Sequence, residues 1–60
     1  MFTQREQTVL QQLRTGASNK QIANDLGITE GTVKQHLHSM FQKSGVGGRA
    51  ALVLTWHNKP

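Results

Sequence analysis

The chain has 60 residues, and its seven lysines and arginines against three acidic residues give it a formal net charge of +4. This length has room for one domain with a thin core and no deep ligand pocket, which favours a binding module over an enzyme. The sequence has no cysteine, which excludes disulfides, thiolate zinc sites and thiol nucleophiles, and its apolar runs are too short to cross a membrane.

Capping motifs and glycines predict the first two helices. Thr3 and Glu6 have the spacing of a capping box, and the apolar residues that follow predict a helix from about Gln4 to Arg14. Ser18 opens a second capping box, so we expect a short helix there. That helix should end at Gly27, because glycine readily adopts the left-handed conformation that closes a helix.

Two further helices complete an all-α, four-helix bundle-like domain. Thr29 caps a helix from Glu30 to about Lys43, and the inner face of that helix is an apolar stripe. The stripe consists of Val33, Leu37, Met40 and Phe41. The last helix, predicted at about residues 49–58, carries apolar residues around nearly its whole circumference. We expect Leu52, Val53 and Trp56 to face the core.

The connection between the second and third helices is typical of a helix-turn-helix. Only Gly27, Ile28 and Thr29 join the two helices, and a short turn that contains glycine allows the steep reversal that this motif needs. Ala23 is small enough to let the helix axes approach each other. The predicted motif covers about residues 19–43.

The outer face of the third helix carries amide, imidazole and ammonium groups and no acid after Glu30. These groups donate and accept hydrogen bonds at base edges and phosphates. The amino-terminal part of such a helix enters the major groove, which predicts base contacts by Lys34, Gln35 and His38. Gly31 would allow close approach to the duplex. Ser39 and Gln42 are expected to point outward as well.

Four motifs carry a resemblance to a known family. They are Thr3-x-Arg5-Glu6, Gly16-x-Ser18-Asn19-Lys20-x-Ile22-Ala23, Thr32-Val33-Lys34-x-His36-Leu37 and Lys43-x-Gly45-Val46-x-x-Arg49. Together they resemble the LuxR-type (GerE-like) DNA-binding domain of bacterial transcription regulators, over about residues 2–56. The resemblance implies a recognition helix at Glu30–Lys43. It implies base contacts on Lys34, Gln35 and His38, and phosphate contacts on Asn19, Lys20, Thr32 and Lys43.

The same resemblance implies partners and a location. The partners are double-stranded DNA with inverted-repeat sites, a second copy of the chain bound through the last helix, and RNA polymerase as a further candidate. On the last helix itself, Ala50, Leu54 and His57, with Ala51 beside them, share the side opposite the core-facing one, and this apolar strip is the predicted dimerisation surface. A bacterial cytoplasmic protein is expected, with no membrane, metal or cofactor. Family members usually carry an upstream sensing or receiver domain, so the chain is either an excised output domain or a small stand-alone protein.

Several readings stay open at this stage. The chain departs from the family pattern at Ser44, Gly48, Leu52 and Trp56. The alternative for the last helix is therefore a plain surface helix that does not dimerise. His36 fits a half-buried structural histidine as well as a phosphate contact. A promoter-recognition module of a sigma factor shares the helix-turn-helix core but lacks the tail from Gly45 onwards. A protein-interaction module would show more surface acid than this chain has.

Overall fold

The computed structural model describes residues 2–56, apart from the side chains of residues 49, 55 and 56. Over that range the chain forms four helices and no strand: α1 (Gln4–Arg14), α2 (Asn19–Leu26), α3 (Glu30–Ser44) and α4 (Arg49–Trp56). The predicted all-α fold is therefore confirmed, and the first three helices begin at the predicted residues. The prediction that the last helix continues over residues 57 and 58 lies outside the described part.

Both predicted capping boxes are present. Glu6 N–H donates to Thr3 Oγ1 at 3.1 Å, and Thr3 N–H donates to Glu6 Oε1 at 2.8 Å. At the start of α2, Gln21 N–H donates to Ser18 Oγ at 3.2 Å, while Ser18 N–H donates to Gln21 Oε1 at 2.9 Å. These bonds satisfy backbone donors that have no partner within the first turn, a contribution of about 1 kcal/mol for each cap.

Residues 27–29 form the turn that ends α2 and starts α3. Gly27 has a φ of +70°, a conformation that other residues rarely adopt. Ile28 N–H donates to the Ala23 carbonyl at 3.0 Å, which closes the end of α2. Thr29 then accepts the backbone N–H of Thr32 at 3.1 Å and starts α3. Three consecutive residues thus account for the turn of the helix-turn-helix.

A single apolar core joins all four helices. Its buried side chains come from every helix and from one residue that precedes α1. They are Phe2, Val9, Leu10, Leu13, Ile22, Ala23, Val33, Leu37, Met40 and Leu52. Because this core fixes α3 against the other three helices, the opposite face of α3 is held in a defined orientation toward solvent.

Candidate nucleic-acid interface

Helix α3 has one buried face and one exposed face. Val33 and Met40 are fully buried and Leu37 nearly so, which confirms three members of the predicted stripe. Phe41, the fourth, is only partly buried and packs at the edge of the core. Lys34, Gln35 and His38 are all exposed on α3, as are Gly31 and Gln42. The base-contacting candidates therefore lie on the accessible side of the helix.

Ser39 does not point outward as predicted. It is half-buried, and its hydroxyl is among the groups that lower the pKa of the buried Glu6 carboxyl on α1. The serine therefore lies toward the contact between α1 and α3. The polar outer face of α3 is narrower than the sequence indicated, and it is centred on Lys34, Gln35 and His38.

The predicted phosphate-contacting residues lie at the amino-terminal ends of α2 and α3. Lys20 is exposed and Asn19 is half-buried in the first turn of α2. Thr32 is half-buried in the first turn of α3, where its Oγ1 lies 3.0 Å from Thr29 Oγ1. Helix amino-termini attract anions because their first N–H groups and the helix dipole both favour negative charge. Asn19, Lys20 and Thr32 therefore stay predicted phosphate contacts.

Lys43, a predicted phosphate contact, pairs with an acid of α1 within the domain. Its Nζ lies 2.7 Å from Glu6 Oε1, and the two side chains are 34% and 4% exposed respectively. Burial by itself raises the pKa of Glu6. The hydrogen bonds from Lys43, Thr3 N–H and Ser39 outweigh that effect, together with the positive charge of Lys43, and hold the pKa at about 2. The ammonium of Lys43 is engaged by this buried carboxylate, so we leave it out of the proposed phosphate contacts.

The sequence contained a signal that Glu6 needs a partner, although it did not identify Lys43. Glu6 precedes Val9 and Leu10 by three and four residues, so it lies on the same face of α1 as the apolar residues that form the core. An acid on a buried helix face needs a cation or several hydrogen-bond donors. Reading Glu6 only as a cap missed this second requirement.

A shallow cleft lies on one edge of the exposed face of α3. It encloses about 450 Å³ between the start of α2, α3 and the loop that precedes α4. Its lining residues are Asn19, Lys34, Leu37, His38, Phe41 and Gly48. Lys34, His38 and Asn19 were predicted to contact DNA, whereas Phe41 and Gly48 were not. The cleft brings two candidate base-contacting residues and one candidate phosphate-contacting residue to one place.

The exposed side of α4 is apolar over a short distance. Ala50 and Ala51 are exposed, and Leu54 is 72% exposed. On the other side, Leu52 is fully buried and Val53 packs against the core, as predicted. The predictions for His57 and for the Trp56 side chain lie outside the described residues. Dimerisation through Ala50, Ala51 and Leu54 stays a prediction.

His36 is the last of the predicted site residues. His36 is half-buried, a position that leaves both of its readings open. Among residues 2–56, no group of three histidines or acids is placed to hold a metal ion. No helix in the described part of the chain is long and apolar enough to cross a membrane.

Comparison with known proteins identifies the family. The family described as bacterial regulatory proteins, luxR family (GerE), matches residues 1–56. The chain belongs to this luxR family. It is 47% identical over 58 residues, 97% of the chain, to the CsgBAC operon transcriptional regulatory protein of Escherichia coli and equally to the probable csgAB operon transcriptional regulatory protein of Salmonella typhimurium. It is 51% identical over 50 residues, 83% of the chain, to the nitrate/nitrite response regulator protein homolog of Haemophilus influenzae.

These luxR-family relatives are longer proteins. The chain spans 26% of the length of the first two and 24% of the third. The match therefore concerns one helical domain within each relative. The family assignment agrees with the observed four-helix fold and with the motifs that pointed to it.

Proposed function

We propose that this domain binds duplex DNA sequence-specifically, as the output domain of a bacterial transcription regulator, with α3 in the major groove. The observation that carries the proposal is the exposed face of α3, which has no acid after Glu30 and on which Lys34, Gln35 and His38 lie opposite a buried stripe. Lysine suits guanine and glutamine suits adenine in the major groove, and imidazole both donates and accepts. The relatives' names as transcriptional regulators support the same function.

Asn19, Lys20 and Thr32 would fix the register of the domain on the DNA backbone. They lie at the starts of the two helices of the helix-turn-helix, where phosphates bind most favourably. No ion pair involves Lys20 or Lys34 in the described part of the chain, so both ammonium groups are available to DNA. This availability distinguishes them from Lys43.

Replacing Lys34 by alanine should weaken specific binding by about 1–3 kcal/mol if Lys34 reads a base. The duplex would be selected from a random pool by the wild-type domain, and affinities would be measured by fluorescence anisotropy on that duplex and on a shuffled version. Loss of a base contact lowers affinity for the selected duplex much more than for the shuffled one.

Arg5→Ala is the matched control for Lys34→Ala, because it also removes one exposed positive charge. Arg5 adjoins Glu6, which contacts the last turn of α3, far from the end that enters the groove. A small, equal loss on both duplexes is expected for the control. Equal losses for the two variants would refute base reading by Lys34, and failure to enrich any sequence from the pool would refute the proposed specificity.

We also propose that two copies of the domain meet through α4 on inverted-repeat sites. The exposed strip of Ala50, Ala51 and Leu54 is small, so we expect the contact to form on DNA and to be weak in its absence. Small side chains allow two helices to approach closely across a two-fold axis. Leu54 would be the largest apolar group in that contact.

Leu54→Glu should therefore reduce the stoichiometry on a selected inverted repeat from two copies to one. Two carboxylates would meet near the symmetry axis, where like charges repel in an apolar contact. Analytical ultracentrifugation of the complex measures the stoichiometry. Gln11→Glu, an equal charge change at an exposed residue of α1, should leave two copies bound. Two copies of the Leu54→Glu variant on the same site would exclude this contact.

A further inference from the structure

The cleft beside α3 combines an apolar floor with a polar rim. Leu37 is 6% exposed and Phe41 packs against the core, so these two side chains form the floor. Asn19, Lys34 and His38 line the same cleft. No acidic residue is among its lining residues, so the cleft presents donors and one positive charge around an apolar surface.

This combination matches the chemistry of a DNA strand. A deoxyribose offers C–H groups that pack on an aromatic ring or an aliphatic side chain, and the phosphates on either side of it accept hydrogen bonds from amide and ammonium groups. An apolar peptide would leave the ammonium of Lys34 without a partner, and a free anion would not use the floor of Leu37 and Phe41. The absence of acid in the lining favours a polyanion.

We propose that this cleft seats one deoxyribose–phosphate segment of the bound duplex, with the sugar against Phe41 and a flanking phosphate near Asn19, while Lys34 at the rim stays directed at the adjoining base edge. The inference rests on the proposed DNA-binding function and extends the interface to two residues that the sequence did not indicate, Phe41 and Gly48. It also places contacts from α2, α3 and the loop before α4 on a single strand.

Substitutions at Gly48 test the cleft proposal without disturbing the fold. Its carbonyl accepts Leu52 N–H at 3.0 Å, so it occupies the N-cap position of α4. A Cβ added there would meet no atom within 4 Å, and its φ is not in the left-handed region. Aspartate and asparagine are both favourable N-cap residues. Gly48→Asp therefore adds a negative charge at the cleft without a steric or capping cost, and Gly48→Asn adds the same cap without the charge.

Gly47→Asp is the control for the general electrostatic repulsion between an added negative charge and DNA, because it adds the charge outside the cleft. Gly47 is exposed, has open space around its Cβ position and does not line the cleft. Affinities for an arbitrary 16-base-pair duplex at about 50 mM salt would be compared, since non-specific binding depends mainly on phosphate contacts. We expect Gly48→Asp to lose about fivefold or more in affinity, Gly48→Asn to match wild type, and Gly47→Asp to lose clearly less than Gly48→Asp. The melting temperature of each variant reports whether the fold is intact.

A direct contact measurement accompanies the affinities. In the complex of the isotope-labelled wild-type domain with this duplex, nuclear Overhauser effects should connect the ring protons of Phe41 to deoxyribose protons. Equal losses for the two aspartate variants, with no such effects at Phe41, would overturn the cleft proposal while leaving DNA binding in place. A wild-type domain that binds no duplex would instead refute the proposed function.

Discussion

Replacing Ile22 by alanine is expected to remove a large fraction of the domain's free energy of unfolding. Ile22 is fully buried and is among the largest fully buried side chains of the core. Truncating this side chain leaves a cavity between α2 and the core, and such a change lowers the free energy of unfolding by about 2–5 kcal/mol. A domain of this length has a total stability of only about 3–9 kcal/mol, so the cost is a large fraction of the whole.

Urea denaturation followed by far-ultraviolet circular dichroism measures this loss. Leu54→Ala is the matched control, because it removes a similar aliphatic group from a side chain that is 72% exposed; we expect a change within about 0.5 kcal/mol. An unchanged urea midpoint for Ile22→Ala would mean that α2 does not pack as the structure shows. The apparent affinity for DNA should fall in proportion to the folded fraction.

Replacing Lys43 by methionine is expected to cost about 3 kcal/mol at neutral pH. The variant leaves the carboxylate of Glu6, which is only 4% exposed, without its cation, and breaking a buried pair from one side costs about 3–5 kcal/mol. The lower end applies because Lys43 itself is about one-third exposed. Lys20→Met, the same chemical change at an exposed lysine, should change stability by less than about 0.5 kcal/mol.

Removing the charge of Glu6 and removing the charge of Lys43 should lower the free energy of unfolding by different amounts. Glu6→Gln keeps a side chain that completes the capping box, as Gln21 does in α2, and leaves Lys43 partly hydrated. It should therefore cost less than Lys43→Met, and the double variant should recover part of the loss of Lys43→Met. Urea titrations of the three variants measure the coupling. Equal losses from both single variants would contradict a penalty that comes from the buried carboxylate.

Lowering the pH should remove the contribution of the Glu6–Lys43 pair to the stability of the domain. The folded pKa of Glu6, about 2, lies below its ordinary value of 4.5, so the unfolded chain binds the proton more readily. The stabilisation is complete above pH 4.5 and is lost as the pH falls toward 2. The difference in stability between wild type and Lys43→Met should shrink over the same range. A difference that is independent of pH would rule out the carboxylate as its source.

Local signals made the helix boundaries predictable. Thr3, Ser18 and Thr29 each act on a backbone N–H three residues away, and Gly27 closes α2 through its own backbone conformation. Such interactions depend only on neighbouring residues, so the sequence contains all that is needed to place them. The buried stripe of α3 was predictable for the same reason, because one helical period determines it.

The parts of the site that depend on tertiary neighbours were not predictable. The partner of Lys43 lies 37 residues earlier in the chain, and no local pattern relates the two. Ser39 was placed outward from helical geometry alone, but α1 lies beside it and brings Glu6 close. Phe41 and Gly48 line one cleft with Lys34 because the loop before α4 folds back beside α3.

The separation between Glu6 and Lys43 has a consequence for the order of folding. Helices α2 and α3 are joined by three residues, so their contact closes a very short loop, whereas the ion pair closes one of 37 residues. Longer loops cost more entropy and delay the contacts that close them. The helix-turn-helix should therefore form first, and the docking of α1 should follow it. Interactions that form late in folding mainly slow unfolding, so we expect loss of the Glu6–Lys43 pair to shorten the lifetime of the folded helix-turn-helix more than it delays folding.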